Sequence, residues 1–388
     1  MTAQTIRTET PQSAQESAEL LRSCADEGVA VRIAGGGTKP WGLPGADCAV
    51  QLRTGALDAI VAHNRGDLTA VLQAGMPLRA LDEALASADQ MLALDAPWGA
   101  DDAATVGGLI ATGDSGPLRH RYGAPRDLVL GVTIALSDGS LAHAGGKVIK
   151  NVAGYDLAKL YSGSFGTLGL ICEVAVRLHP RPPALATATG RTDDAGLLQH
   201  AAIAMAGSSL EAQALDVRWE GSSGAVLARF AGIAAAEQAE AARVLLAATG
   251  VEAACVEEDE PLWERQRAGQ RSVDGGAVVR VSGRPTRLAD AFDAAQAAGA
   301  TLVGRAALGL SWIALPAAAP GELVIAIAGL REALVPCACV VLDAPAAVRA
   351  HLDPWDHHES SALALMRRVK QRFDPTATCN PAIFVGGI

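Results

Sequence analysis

The stretch ATVGGLIATGDSGP, residues 104–117, sets Gly107, Gly108, Gly113 and Gly116 within ten positions that carry no regular hydrophobic period. Glycine at that density lets backbone approach a large ligand where any side chain would stand in the way. Glycines serving only as turns would be spread singly. Here, further clusters at 35–37, 145–146 and 163/166/169 crowd the first 170 residues. An extended ligand touched by several loops fits this spacing better than one small phosphate. A dinucleotide is the natural candidate.

The first of these clusters sits in VRIAGGGTKPWG, residues 31–42. It is not a P-loop, because Thr38 precedes Lys39 and Pro40 follows. It is not a Rossmann turn either: Gly35 and Gly37 fit, but the third glycine position holds Pro40. Pro40, Trp41, Gly42 and Pro44 stop a helix from running on, so the loop joins two extended segments. Its N–H groups form an anion-binding nest or simply a glycine-rich turn, and the segment alone leaves both readings open.

The chain has 388 residues, enough for two or three domains. Its net charge of −10, with Lys and Arg scattered, gives nothing to steer it to nucleic acid. The N-terminus lacks the apolar core of a signal peptide, and no run reaches the roughly 18 apolar residues of a membrane span. A cytoplasmic protein is expected, peripheral at the inner face of the membrane only through partners. Seven cysteines include no C-x-x-C and no iron–sulfur ligand spacing. Cys337 and Cys339 fall at strand period and read as small core hydrophobes on one face.

Residues 12–28 read as a helix, and 69–92 as strand, turn and helix with Pro77 at the helix start. LVLGVTIAL followed by SDGS reads as a long strand and a tight turn. The proline-bearing segment 179–190 is the best domain boundary. Beyond it, strand-like pieces alternate with alanine-rich helices, as in an antiparallel sheet with helices on one face. SALALMRRVKQRFDP reads as an amphipathic helix stopped by Pro375.

GGGTK, ATVGGLIATGDSGP, RYGAPRDLVLGVTIALSDG and KNVAGYDLAKLYSGSFGTLGLICEV follow one another as in the vanillyl-alcohol-oxidase-type, or PCMH-type, FAD-binding domain, which the chain resembles over about residues 20–180. KNVAGYDL together with the tail RRVKQRFDPTATCNP resembles the FAD-binding subunits of bacterial glycolate oxidases. The resemblance implies an α+β protein: a two-subdomain PCMH-type FAD-binding domain (1–182), a smaller α+β cap with an antiparallel sheet (183–345), and a C-terminal helix and tail (346–388) packing back on the FAD domain. It places Gly35, Gly36, Gly37, Thr38 and Lys39 on FAD. It adds Thr105, Val106, Gly107 and Gly108, closed by Gly113, Ser115 and Gly116, and then Gly166, Thr167, Gly169 and Ile171. Backbone N–H groups and short hydroxyls would hold the phosphates. Residues 34–42 contain no His, and His120 sits between Arg119 and Arg121, so the FAD is expected to be non-covalent.

No H-x-G-D-G-N or E-H-G stretch of the kind found in substrate-oxidising relatives is present, so no catalytic residue is assigned and no metal is expected. DPWDHHES offers His357, His358 and Glu359 without glycines and reads as a polar patch. The tail CNPAIFVGGI carries Ala382 where the related pattern has Gly, and Asp356 stands where a Gly is expected. The resemblance thus implies a flavin subunit, electron-relaying or structural, of a complex oxidising a 2-hydroxy acid such as glycolate to glyoxylate. A second FAD-linked subunit would be catalytic, and an iron–sulfur subunit would carry electrons onward. Two alternatives stay open. One is an independent FAD-dependent oxidoreductase whose pocket is lined by Arg218, Trp219, Trp263 and Arg265. The other is a flavin-free scaffold.

Overall fold

The computed structural model describes residues 6–147, 155–357 and 359–388. KNVAGYDL lies mostly outside these residues, and His358 lies outside them altogether. The chain divides into two compact units. The first comprises residues 1–115, 123–181 and 357–388, and the second comprises 116–122 and 182–356. Residues 346–356 therefore group with the second unit rather than with the C-terminal helix, and a seven-residue excursion, Gly116–Tyr122, does so as well.

Among the described residues the first unit holds three sheets, the smallest a two-stranded pair of Gln90–Met91 with His179–Pro180. Arg7–Glu9 and Val31–Ala34 flank Val50–Arg53 in a parallel three-stranded sheet. The helix Ala14–Asp26 begins where Ser13 Oγ accepts the Glu16 N–H and the Glu16 carboxylate accepts the Gln12 N–H, so two end donors are satisfied. Its Ala18, Leu21 and Cys24 recur at helical spacing and are buried with Val31, Val50 and Leu52. The second sheet is antiparallel and ordered Ile60–Asn64, Thr69–Gln73, Leu170–Arg177, Val129–Ala135, Leu141–Gly145. Its last two strands form the expected hairpin: Gly139 takes φ +83°, and Asp138 Oδ1 accepts both the N–H and the hydroxyl of Ser140.

The second unit is built on one eight-stranded sheet, with all seven neighbouring strand pairs antiparallel. Alternate residues of one face, among them Leu215, Val217, Trp219, Leu302, Ile313 and Val279, are buried with Ala201, Ala242, Phe292 and Ile327 of four helices. The opposite face carries Asp216, Arg229 and Arg305. The helix Glu260–Ala268 lays Trp263 there against Ala214 and Leu227. Cys339 is buried in the strand Ala338–Asp343, but Cys337 precedes that strand in a turn, its N–H bonded to Leu334 O. Both cysteines still pack on one hydrophobic core, Cys339 within it and Cys337 half-buried against it, although the strand starts one position later than the apolar run suggests.

Candidate flavin site

The loop after Val31–Ala34 leaves the parallel sheet and runs against the segment that leads into the helix Val106–Thr112. A Cβ on Gly35 would overlap Thr105 Oγ1, and one on Gly36 would fall on the Ala103 carbonyl. These two glycines let two loops touch backbone to backbone. Gly37 differs: its φ is +73° and nothing lies within 4 Å of its would-be Cβ. Among the described residues, the N–H groups of Gly36, Gly37 and Thr38 make no hydrogen bond. Lys39 Nζ stands 3.7 Å from Asp114 Oδ2, with side-chain exposures of 6% and 2%. A cation and an anion removed this far from water hold each other in place across the two loops.

The glycine-rich stretch that looked aperiodic is a helix through its middle, Val106–Thr112. Thr105 caps it by accepting the Gly108 N–H, and Gly113 closes it at φ +65°. Three donors are consumed there. Val106 N–H bonds Met76 O, Gly107 N–H bonds Ala74 O, and Gly108 N–H bonds Thr105 Oγ1. The expectation that Val106, Gly107 and Gly108 donate their N–H groups to phosphate is corrected accordingly. A Cβ on Gly107 would lie 2.6 Å from Ala74 Cβ and 2.9 Å from Ala74 O, so that glycine serves packing. Gly108 faces outward, with only Thr105 Oγ1 within reach at 3.1 Å. Ser115 is buried, and its N–H bonds Asp114 Oδ1. Gly116 falls in the segment grouped with the second unit.

The third segment joins the same place. Gly163 N–H bonds Ile110 O, and Phe165 N–H bonds Ala111 O, so the loop lies along the C-terminal turn of the helix. Gly163 has φ +81° and open space at its Cβ position, while a Cβ on Gly113 would lie 3.6 Å from Gly163 Cα. Thr167 is buried, its hydroxyl given to Ser164 O. A Cβ on Gly166 would lie 2.7 Å from Asn380 Nδ2, so that position too has no room for a side chain. Gly169 (φ +139°) and Ile171 pack on the strand Val129–Ala135, where Ala135 O and Ile134 leave no room for a side chain on Gly169. Three loops therefore converge. Gly37, Gly108 and Gly163 face outward from them, and three N–H donors are unspent, which is a donor set and an open surface that fit a dinucleotide pyrophosphate.

Other candidates fall elsewhere. His120 is half-buried in the short helix Arg119–Tyr122. Burial, then the Arg121 charge, depresses its pKa, and its Nδ1 has no hydrogen-bond partner among the described residues. His63 bonds Gln90 and His143 bonds Thr133, while His200 is exposed within the helix Ala195–Ala206. Glu359 lies 4.0 Å from His357 and is held below the usual carboxylate range by Arg367. Among the described residues no group of three His, Cys, Asp or Glu side chains is placed to hold a metal. The proposed pocket of Arg218, Trp219, Trp263 and Arg265 does not form. Trp219 stacks on Phe292 at 5.2 Å in the core, Trp263 is buried on the other sheet face, and the two arginines share Glu220. Sequence reasoning missed Asp114, which sits inside a quoted motif as an acidic residue among glycines. It also missed Lys370 and Asn380, whose roles depend on contacts far along the chain.

Residues 7–145 match the family described as FAD binding domain. Glycolate oxidase subunit GlcE of Escherichia coli (strain K12) is 42% identical over 125 residues, 32% of this chain and 35% of that protein. Mitochondrial D-2-hydroxyglutarate dehydrogenase of Rattus norvegicus is 34% identical over 177 residues, 45% of this chain and 32% of that protein. These matches thus span about a third of the length of each of these relatives. A solved structure of alkyldihydroxyacetonephosphate synthase shares the fold, with a TM-score of 0.71 at 15% identity over 96% of this chain and 76% of that one. No helix among the described residues is long and apolar enough to cross a membrane. The loops at Gly37 and Gly108 lie within residues 7–145, the stretch that matches the FAD binding domain family, and FAD is the cofactor that this match supports.

Proposed function

We propose that the chain is the flavin subunit of a complex that oxidises a 2-hydroxy acid to a 2-oxo acid, glycolate to glyoxylate, and that it holds one FAD non-covalently. The observation that carries this reading is the convergence of three loops whose outward-facing glycines and unspent N–H groups lie together in one unit. Gly36, Gly37 and Thr38 would donate to phosphate oxygens, and Lys39, already set against Asp114, would add a fixed positive charge beside them. Gly113, Ser115 and Gly116 would close the second loop, with Gly166 and Thr167 bordering the third. When bound, FAD supplies a two-electron acceptor.

The chain's role is to relay electrons or to shape the complex rather than to remove the substrate's protons. A general base must lie within about 3 Å of the hydroxyl proton or act through one water. The sequence has no H-x-G-D-G-N or E-H-G stretch, and His63 and His143 are tied to Gln90 and Thr133. The base would come from a second FAD-linked subunit, and cluster cysteines from an iron–sulfur subunit. Similarity to a glycolate oxidase subunit and to a 2-hydroxy-acid dehydrogenase supports the substrate class. The test is anaerobic mixing of the purified, FAD-loaded chain with excess glycolate or D-lactate. The flavin absorbance is expected to persist, while the complex co-purified from the native host turns over. Bleaching in the isolated chain at the rate of the whole complex would make this chain the site of chemistry.

A further inference from the structure

The last turn of the C-terminal helix and the tail behind it reach two of the three flavin loops. Lys370, on the helix Ser361–Phe373, is buried, and its ammonium donates to three acceptors: Thr167 O at 2.7 Å, Cys379 O at 2.8 Å and Asp374 Oδ2 at 2.6 Å. Asp374, fully buried at its carboxylate, also accepts the N–H groups of Thr378 and Cys379. The turn so formed presents Asn380, in the left-handed region at φ +41°. Its amide reaches both loops. Oδ1 accepts the Ile33 N–H at 2.7 Å, two residues before the first glycine, and Nδ2 donates to Phe165 O at 2.7 Å. Backbone bonds Val31 N–H to Thr378 O and Asn380 N–H to Val31 O add the tail to the edge of the parallel sheet. Phe384 packs on Phe165 with ring centroids 5.4 Å apart.

We propose that Lys370, Asp374 and Asn380 are positioning residues for the cofactor: one clasp that fixes the spacing between the AGGGTK loop and the GSFGT loop, so that flavin affinity depends on a segment more than 200 residues beyond the matched domain. The proposal rests on the flavin assignment above. A carbonyl bonded to an ammonium and a carbonyl bonded to an amide are held at defined distances. Removing either donor frees one loop from the other without touching any group that faces the open surface. The side chain of Asn380 suits the place doubly, since it tolerates a positive φ and carries a donor and an acceptor on one planar group. Aspartate would keep the acceptor for Ile33 but set a second oxygen against Phe165 O.

The experiment titrates FAD into flavin-stripped full-length protein and follows flavin fluorescence, with a thermal melt of each flavin-free protein. The variants are Asn380→Asp, Asn380→Gly and Lys370→Met. The control, Leu363→Ala, truncates a buried residue of the same helix that lies beside Gly386 and makes none of the hydrogen bonds of the clasp. Asn380→Asp and Asn380→Gly are expected to weaken FAD binding about tenfold or more. The control should lose thermal stability at least as far while holding wild-type affinity within about twofold. Lys370→Met buries an unpaired Asp374 and is the variant most exposed to misfolding, so the Asn380 pair decides. Wild-type affinity in both Asn380 variants overturns the proposal while leaving the cofactor standing. Equal loss of affinity in the control overturns it too, since affinity would then follow stability alone. A wild-type chain that binds no FAD overturns both.

Discussion

Gly107 and Gly108 are neighbours on one helix, and the structure assigns them opposite duties that a pair of substitutions separates. In Gly107→Ala the new methyl meets Ala74 Cβ at 2.6 Å and Ala74 O at 2.9 Å, both on backbone-fixed atoms that cannot turn away. Overpacking of this kind costs about 1–3 kcal/mol, against which the better helix propensity of alanine returns up to about 1 kcal/mol. The net loss of about 1–2 kcal/mol corresponds to roughly 2–8 °C in the melting temperature of a unit this size. In Gly108→Val the nearest atom is Thr105 Oγ1 at 3.1 Å, a single side-chain atom that need give by only a few tenths of an ångström, and valine is no worse than glycine inside a helix. The flavin-free Gly108→Val protein should therefore melt within about 2 °C of wild type. Its branched side chain fills the outward space, so FAD affinity should fall about tenfold or more. Thermal melts of flavin-free protein and fluorescence titration with FAD read both quantities. Wild-type FAD affinity in Gly108→Val, or an unshifted melt in Gly107→Ala, would refute the division of labour.

Acid precipitation should release the flavin into the supernatant, and flavin remaining on the pellet would contradict non-covalent binding. Ala382 sits at φ +60°, a conformation that costs an L side chain about 1–2 kcal/mol, so Ala382→Gly should raise the melting temperature by a degree or more despite glycine's entropic cost of about 0.5–1 kcal/mol. Asp356 shares the left-handed region at φ +52°, but its carboxylate accepts the Cys339 N–H and lies 3.4 Å from Arg331, so Asp356→Gly should lower the melting temperature of the second unit. Glu260 has a pKa that burial pushes up but that bonds from Arg229 and Arg267 pull down further, below its ordinary 4.5. A depressed carboxylate contributes stability that is complete above 4.5 and lost as the pH falls through the folded value. Acid titration of unfolding should show that loss in wild type and a flatter profile in Glu260→Gln.

How far the sequence speaks depends on whether a backbone demand is met by the residue that advertises it. Gly37, Gly113, Gly163 and Gly166 all adopt positive φ, and their identity alone marks the loops in the sequence. The alternation of Val129–Ala135 and the turn at Gly139 were legible for the same reason, as was the helix Ser361–Phe373 from its apolar stripe and Pro375. Asp356, Asn380 and Ala382 adopt the same left-handed backbone without glycine, so the turns there are hidden from a reading that looks for glycine. Glycine density also conceals its own cause. Gly107 and Gly108 read alike in a motif, yet one answers to Ala74 and the other to open space, a distinction set by a strand more than 30 residues earlier. The clasp was least legible of all. Lys370, Asp374 and Asn380 show the spacing of an ordinary helix end, and their meaning lies in the carbonyls of Thr167 and Phe165, more than 200 positions away. Local rules recover elements and their caps because those are satisfied within a few residues. A site made by joining distant loops is written in which donors and acceptors the elements leave over, and that remainder is settled only when the chain has folded.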